Sequence, residues 1–314
     1  MITAFDPALP REIPREEGTV VTVGTFDGVH RGHWEVLQEI RRRAAATDRK
    51  SVLLTFDPHP LRIVRPEHAP PLLTTPVEKK EILAGSGLDY AVFLPFTVEL
   101  SRYEPRRFVE EVLVGRLGVS ELVIGHDHGF GRGRSGDVET LKQIGAEIGF
   151  AVDVVPPVMS DGQPISSSSI RAALQAGDPE AAGRGLGRPY GMRALVVRGD
   201  GRGRKLGFPT ANLAVASSEK LIPPTGIYAV RGVTRAGTFD GALHLGPRPA
   251  FLGAPPTIEV HLLDFDADLY GENIRVDFIH RIRDVLPFES VEALVAKIRE
   301  DVAETRRVLA PLPT

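Results

Sequence analysis

Val20-Val21-Thr22-Val23-Gly24-Thr25-Phe26-Asp27-Gly28-Val29-His30-Arg31-Gly32-His33 passes from an apolar, β-branched run through closely spaced glycines into a helical pattern. A strand followed by a glycine-rich turn and a helix start is a place where backbone can approach an anion. Gly24, Gly28 and Gly32 leave room for that approach, and the helix start supplies free N–H groups and the positive end of a dipole. His30 and His33 stand three residues apart across this start, so both imidazoles can face one phosphoryl group and stabilise charge that develops during displacement. Capping the helix or lining its turn is the plainer use of the same two rings.

Working outward, further short apolar runs at Ser51 to Phe56, Tyr90 to Leu94, Glu121 to Gly125 and Ala151 to Val155 read as strands, as does Val20 to Phe26. Helical patterns begin near Gly32, Val77, Glu104 and Gly136, and a further helix covers Ser166 to Leu174. Nearly all-apolar strands separated by helices predict an α/β architecture, a Rossmann-like parallel sheet buried on both faces, with ligands at the carboxyl ends of its strands. After Gly177-Asp178-Pro179 and a Gly- and Arg-rich stretch from Arg184 to Arg204, the pattern changes. Strands at Ala194 to Val197, Gly226 to Val233, Gly241 to Leu245, Thr257 to Asp264 and Ile274 to Ile279 follow with no helix between them. Such strands must hide their edges, which predicts a small antiparallel β-barrel. A terminal helix over Ser290 to Leu309 carries Val291, Leu294, Val295, Ile298 and Val302 on one face, expected to pack on that barrel. The expected division is therefore residues 1–186 and residues 187–314, in keeping with a length of 314 residues.

Composition narrows the function. Lys and Arg number 38 and Asp and Glu 41, a net charge of -3, which argues against a partner such as long nucleic acid or an anionic membrane surface. Zero cysteines exclude disulfides, thiolate metal sites and a cysteine nucleophile, and suit a reducing, cytoplasmic compartment. MITAFDPALPREIPREEG has neither a basic start nor a continuous apolar stretch, so export and membrane insertion are not expected. A monomer or weak homo-oligomer acting on small phosphorylated molecules fits these facts best.

Four more stretches carry chemistry. Ile165-Ser166-Ser167-Ser168-Ser169-Ile170-Arg171 places hydroxyls at a helix start and an arginine one turn inside, a set that can hold a triphosphate. Thr55-Phe56-Asp57-Pro58-His59-Pro60 is a turn fixed by two prolines, and Gly125-His126-Asp127-His128-Gly129-Phe130-Gly131 follows another strand. Adjacent residues such as His126, Asp127 and His128 cannot easily converge on one metal ion. Gly199-Asp200-Gly201-Arg202-Gly203-Arg204-Lys205-Leu206-Gly207-Phe208-Pro209-Thr210-Ala211-Asn212 is a basic, glycine-rich loop ending in hard oxygen donors, Thr210 and Asn212, appropriate to Mg²⁺ shared with nucleotide phosphates. Along Thr257-Ile258-Glu259-Val260-His261 the side chains alternate, so Glu259 faces away from the side taken by Ile258 and Val260.

His30 to His33 together with Ile165 to Arg171 resembles the nucleotidylyltransferase superfamily, and the stretches around Asp57 and Asp127 resemble flavin-binding signatures of its FAD synthetase branch. Gly203 to Asn212 is similar, nearly letter for letter, to a riboflavin kinase signature, and Asp268-Leu269-Tyr270-Gly271 and Arg281-Ile282-Arg283-Asp284 follow in that family's order. The resemblance spans almost the whole chain. It implies an amino-terminal FMN adenylyltransferase domain and a carboxyl-terminal riboflavin kinase domain, with ATP, riboflavin and FMN as substrates and Mg²⁺ as cofactor. His30, His33, Arg171 and Glu259 would be catalytic, Glu259 as the base that takes the riboflavin 5′-hydroxyl proton. Gly24, Phe26, Gly32, Ser166, Ser167 and Ser168 would bind ATP in one domain, and Gly201, Gly203, Gly207, Thr210 and Asn212 in the other. Asp57, His59, Asp127 and Phe130 would bind flavin. Relatives usually carry asparagine in place of His244 and threonine in place of Ala250, so a working kinase with weaker flavin or nucleotide affinity is expected. The alternative is an FMN adenylyltransferase whose barrel only binds flavin.

Overall fold

The computed structural model describes residues 2–4, 13–126, 136–160, 162–246 and 257–310, and divides into two compact units, Met1–Ser166 and Ser167–Thr314. The first unit runs β1 (Ile2–Ala4), β2 (Thr19–Val23), α1 (Arg31–Ala46), β3 (Lys50–Asp57), α2 (Pro60–Val64), α3 (Pro76–Ala84) and β4 (Tyr90–Pro95). It continues through α4 (Pro105–Phe108), which runs on as a π-helical turn over Val109–Val114, then β5 (Val119–Gly125), α5 (Val138–Ile148), β6 (Ala151–Val155) and a small hairpin, β7 (Met159–Ser160) with β8 (Gln163–Pro164).

The six strands β1 to β6 form one parallel sheet in the order β1-β4-β3-β2-β5-β6. Alternation sends neighbours to opposite faces: Val21, Val23, Leu54 and Ile124 enter one core with Phe108 and Leu141, whereas Val20, Leu53 and Val123 enter the other with Leu37 and Ile40 of α1. From β2 the chain crosses to β3 on one side, and from β5 to β6 on the other. The strand order thus reverses between β2 and β5, and the crevice at their carboxyl ends is the expected ligand position. The five strands expected from sequence are all present. The sixth, β1, is a three-residue edge strand that no run of that length could announce.

The second unit opens with α6 (Ser167–Gln175) and α7 (Pro179–Leu186), followed by β9 (Tyr190–Val197), α8 (Arg202–Lys205), β10 (Ala211–Val215), β11 (Gly226–Thr234), β12 (Gly237–Gly246), β13 (Thr257–Leu262), β14 (Asn273–Arg283) and α9 (Val291–Leu309). Its six strands close as an antiparallel barrel, β10-β13-β12-β11-β14-β9 and back to β10. Tyr190, Met192, Tyr228, Val230, Leu243, Val260, Val276 and Phe278 fill it. Both buried tyrosines satisfy their hydroxyls on carbonyls, Tyr190 on Leu221 and Tyr228 on Pro224, each at 2.6 Å.

Three expectations need correction here. The barrel has a sixth strand, β10, where the sequence reads as the tail of a loop. The short helix α8 interrupts the run of strands that was expected to contain none. On α9, Val291 is exposed at 56% and Leu294, Val295, Ile298 and Val302 are half-buried, while Asp301, Thr305 and Leu309 are the buried line. An acid occupies the buried face because Arg283 of β14 forks onto it, Nε to Oδ1 at 2.8 Å and Nη2 to Oδ2 at 2.6 Å.

Candidate functional site

The turn after β2 is held by a buried carboxylate. Asp27, 1% exposed, accepts from the backbone N–H groups of Leu73 (3.0 Å) and Thr74 (2.9 Å) and from the Thr74 hydroxyl (3.2 Å), which itself accepts from Gly28 N–H at 3.0 Å. These bonds keep the chain in an unusual path, with φ of 47° at Phe26, 81° at Gly28 and 41° at Val29. Left-handed backbone at a β-branched valine is costly, and is seen where surrounding structure over-determines it.

Out of that turn, His30 caps α1. Its Nδ1 accepts from His33 N–H at 3.3 Å, and His33 Nδ1 accepts in return from His30 N–H at 3.2 Å. The rings stack at 3.6 Å with 18° between planes, and Phe26 packs on His33 at 4.5 Å. Because each Nδ1 is an acceptor, the proton of each neutral ring resides on Nε2. Space is tight at Gly32 between them, since a Cβ there would stand 3.2 Å from the His30 ring and the ring would have to give by a few tenths of an ångström. The Nδ1 of each ring is thus taken up by the reciprocal cap of α1.

Asp57 and His59, at the end of β3, line a small cleft with Phe56, Thr74, Lys79 and Phe93. His59 caps α2 by accepting from Leu61 N–H at 3.2 Å. Lys79, which sequence reasoning did not single out, also lines this cleft. It is 7% exposed, and its ammonium donates to Thr25 O at 2.7 Å. Burial pushes its pKa down, while the carboxylates of Asp27 and Asp57 pull it back up. A signal existed: on α3 the buried positions include Lys79 and Leu83, four apart, so a lysine sits where helical periodicity asks for an apolar side chain. Asp127 and Phe130 lie outside the described residues. Ser166 is the last residue of the first unit, while Ser167, Ser168 and Arg171 belong to α6 in the second.

In the barrel, register unites residues far apart in sequence. Asn212 of β10 pairs with Glu259 of β13, and Glu259 pairs on its other side with His244 of β12. Thr210 donates its hydroxyl to Glu259 Oε2 at 3.2 Å and Thr257 to Oε1 at 3.3 Å. The strand alternation expected for Glu259 holds: Val260 is 1% exposed in the core, and Glu259 shares its side with Thr257. His261 Nδ1–H donates to Pro209 O at 2.7 Å, fixing the approach to Thr210. The preceding loop is folded tightly, because a Cβ at Gly199 would collide with the Asn212 carboxamide and one at Gly203 with Phe208 O. Gly201 and Gly207 take positive φ, 66° and 85°. A cleft of about 440 Å³ opens beside this cluster, lined by Arg198, Asn212, Ser217, Ser218, Lys220 and Thr257 among others. The oxygens of Thr210 and Asn212 are hard donors of the kind Mg²⁺ takes. Ala250 lies outside the described residues.

Comparison with known proteins agrees with both halves of this geometry. Residues 12–169 match the FAD synthetase family and residues 186–309 the riboflavin kinase family. The bifunctional riboflavin kinase/FMN adenylyltransferase of Pseudomonas fluorescens is 38% identical over 299 residues, covering 95% of each chain. That of Escherichia coli K12 is 36% identical over 93% of each chain, and that of Bacillus subtilis strain 168 is 33% identical over 96% of this chain and 97% of its own. A crystal structure described as a macrolide-efflux protein from Streptococcus pneumoniae superposes with a TM-score of 0.85 at 30% identity, covering 97% of this chain and 98% of that one. Efflux is said of that protein; among the described residues here, no helix is long and apolar enough to cross a membrane. This chain belongs to the bifunctional riboflavin kinase/FMN adenylyltransferase family.

Proposed function

We infer that this protein makes FMN from riboflavin and ATP, then FAD and pyrophosphate from FMN and a second ATP. The work is divided between residues 187–314 for the phosphorylation and residues 1–186 for the adenylyl transfer. Family membership over the whole chain supports both activities in preference to an adenylyltransferase with a barrel that only binds flavin. The single observation that carries the kinase assignment to residues is the bond between Thr210 and Glu259, 49 positions apart, because it joins the loop signature to the proposed base.

Neither reaction needs an enzyme nucleophile, since the flavin supplies the attacking oxygen: a hydroxyl in the first step and a phosphate in the second. Catalysis is then positioning and charge stabilisation. Glu259 takes the proton that the 5′-hydroxyl loses as it attacks the γ-phosphorus of ATP. Thr210 and Thr257 orient that carboxylate. Gly201, Gly203 and Gly207 let the loop backbone close on the nucleotide, while Thr210 and Asn212 would hold Mg²⁺, which would supply positive charge to the phosphates. In the adenylyl transfer no base is required, because the FMN phosphate is already ionised. His30 and His33 turn Nε2–H donors toward the α-phosphate, beside the backbone of Gly24, Phe26 and Gly32. Ser166, Ser167, Ser168 and Arg171 hold triphosphate oxygens, and Asp57, His59, Asp127 and Phe130 hold the flavin. Without cysteines or a membrane-spanning helix among its described residues, the protein is read as a cytoplasmic enzyme, monomeric or weakly self-associating.

Incubation with riboflavin, ATP and Mg²⁺, with products separated by chromatography, tests the reading. FMN followed by FAD is the expected order. FAD formed only when FMN is supplied would leave the adenylyltransferase alone.

A further inference from the structure

His244 occupies the centre of a row that crosses five strands of the barrel. It lies opposite Glu259 on one side and Ile227 of β11 on the other, and the row continues to Asn212 beyond Glu259 and to Arg283 beyond Ile227. Residues directly opposite on antiparallel strands project to the same side, with Cβ atoms roughly 4.5–5.5 Å apart. Leu243 and Leu245 point the other way, into the core. His244 is therefore the next polar side chain along from the proposed base.

Two further observations bear on its use. Its Nε2 is buried and has no hydrogen-bond partner among the described residues, which is a costly state for a ring nitrogen. The groups facing it are Glu259 from β13 and Arg283 from β14, with only Ile227 from β11, and α9 contributes Asp301, on which Arg283 is already forked. Burial pushes the imidazole pKa below its ordinary 6.5, the Glu259 carboxylate pulls it up and Arg283 pushes it down again. The ring is thus neutral at physiological pH, able to accept through Nε2.

Building on the assignment of Glu259 as base, we propose that His244 is a positioning residue for the acceptor alcohol, its Nε2 accepting a hydrogen bond from the ribityl 4′-hydroxyl while the 5′-hydroxyl lies at Glu259. Riboflavin carries these two hydroxyls on adjacent carbons, a separation that suits neighbouring side chains in a ladder. Glu259 takes the proton and His244 fixes the chain that carries it.

The test compares the KM and kcat of the full-length protein for riboflavin phosphorylation in the parent, His244→Ala and His244→Asn, with riboflavin and with 4′-deoxyriboflavin. At pH 8, His244→Ala should raise KM for riboflavin roughly three- to tenfold, the worth of one hydrogen bond, and leave KM for 4′-deoxyriboflavin where the parent has it. His244→Asn keeps an acceptor at this position and should return KM for riboflavin toward the parent value. Equal discrimination against 4′-deoxyriboflavin by the parent and His244→Ala would overturn the proposal. Glu259→Gln, assayed in parallel, separates the two ideas: a normal kcat there defeats the base assignment, whereas failure confined to the His244 comparisons leaves that assignment standing.

Discussion

The two units place their chemistry on different parts of their folds. In the α/β unit, the candidate groups leave from loops at the carboxyl ends of β2 and β3, and the strands beneath contribute only the platform. In the barrel, Asn212, Glu259 and His244 stand on the strands themselves, brought together by register. A loop site is written consecutively in the sequence, as in Gly24 to His33. A ladder site is scattered over tens of residues and becomes one object only when the strands pair. On the proposed function each activity has its own set of side chains, so a single substitution should disable one reaction and spare the other.

The largest expected effect comes from the barrel. Glu259→Gln keeps the shape and one acceptor oxygen, so that one of the two threonine hydroxyls must turn to accept from the amide N–H, and it cannot take a proton. Riboflavin phosphorylation should fall by on the order of 10²–10⁴ in kcat, while FAD formation from supplied FMN stays at the parent rate. Loss of both activities in a folded variant would break the proposed division between residues 1–186 and 187–314. In the opposite direction, removing the His33 or His30 ring should slow adenylyl transfer by about 10²–10³ and leave the kinase untouched. His30→Asn sharpens that test, because asparagine is a good helix cap but has no Nε2–H to offer. A slow but normally stable His30→Asn protein would separate the two jobs that the reciprocal cap combines; full activity in it would remove His30 from the chemistry.

Much of this comparison could be read before the strands were paired. Strand-turn-helix order, the parallel sheet and the position of His30 and His33 follow from local pattern, because β-branched runs, glycines and the helix start occur in the order in which they act. The barrel was legible as a class but lost one of its strands. β10 has only Leu213 buried, and it starts inside a loop signature rich in turn formers, so its alternation is too short to stand out. Asp301 reads as a surface acid until Arg283 is brought beneath α9. Lys79 and Asp27 likewise need tertiary contacts, since nothing local tells a buried ammonium from an exposed one. His244 could be flagged as unusual from the sequence, yet its neighbours could not be named without the register.

Stability offers a third way to press the comparison. Asp27→Ala would leave the buried N–H groups of Leu73 and Thr74 without their acceptor and deprive Lys79 of one compensating carboxylate. At about 1–3 kcal/mol for each stranded donor, the α/β unit should lose about 3 kcal/mol. In calorimetry its transition should move down, while the transition of the barrel stays in place and serves as the internal control. A shift of both transitions would show that the units unfold as one.

The smallest expected effect separates two glycines of one loop that look alike in sequence. Gly207 has φ +85° and nothing within 4 Å of where a Cβ would be, whereas Gly203 has no positive φ but a Cβ there would run into Phe208 O, a backbone atom two residues before Thr210. The first glycine is needed for its dihedral alone, the second for its space. Gly207→Ala should therefore cost roughly 1–2 kcal/mol of strain that the loop can relieve locally, leaving kinase activity within a few-fold of the parent. Gly203→Ala must displace the segment that carries Thr210, so its effect should appear in KM for ATP as well as in kcat. Steady-state kinetics on both variants decides the matter. If Gly207→Ala proves as damaging to the kinase as Gly203→Ala, the loop needs its left-handed turn for nucleotide binding itself, and the barrel, like the α/β unit, depends on backbone geometry as much as on its ladder.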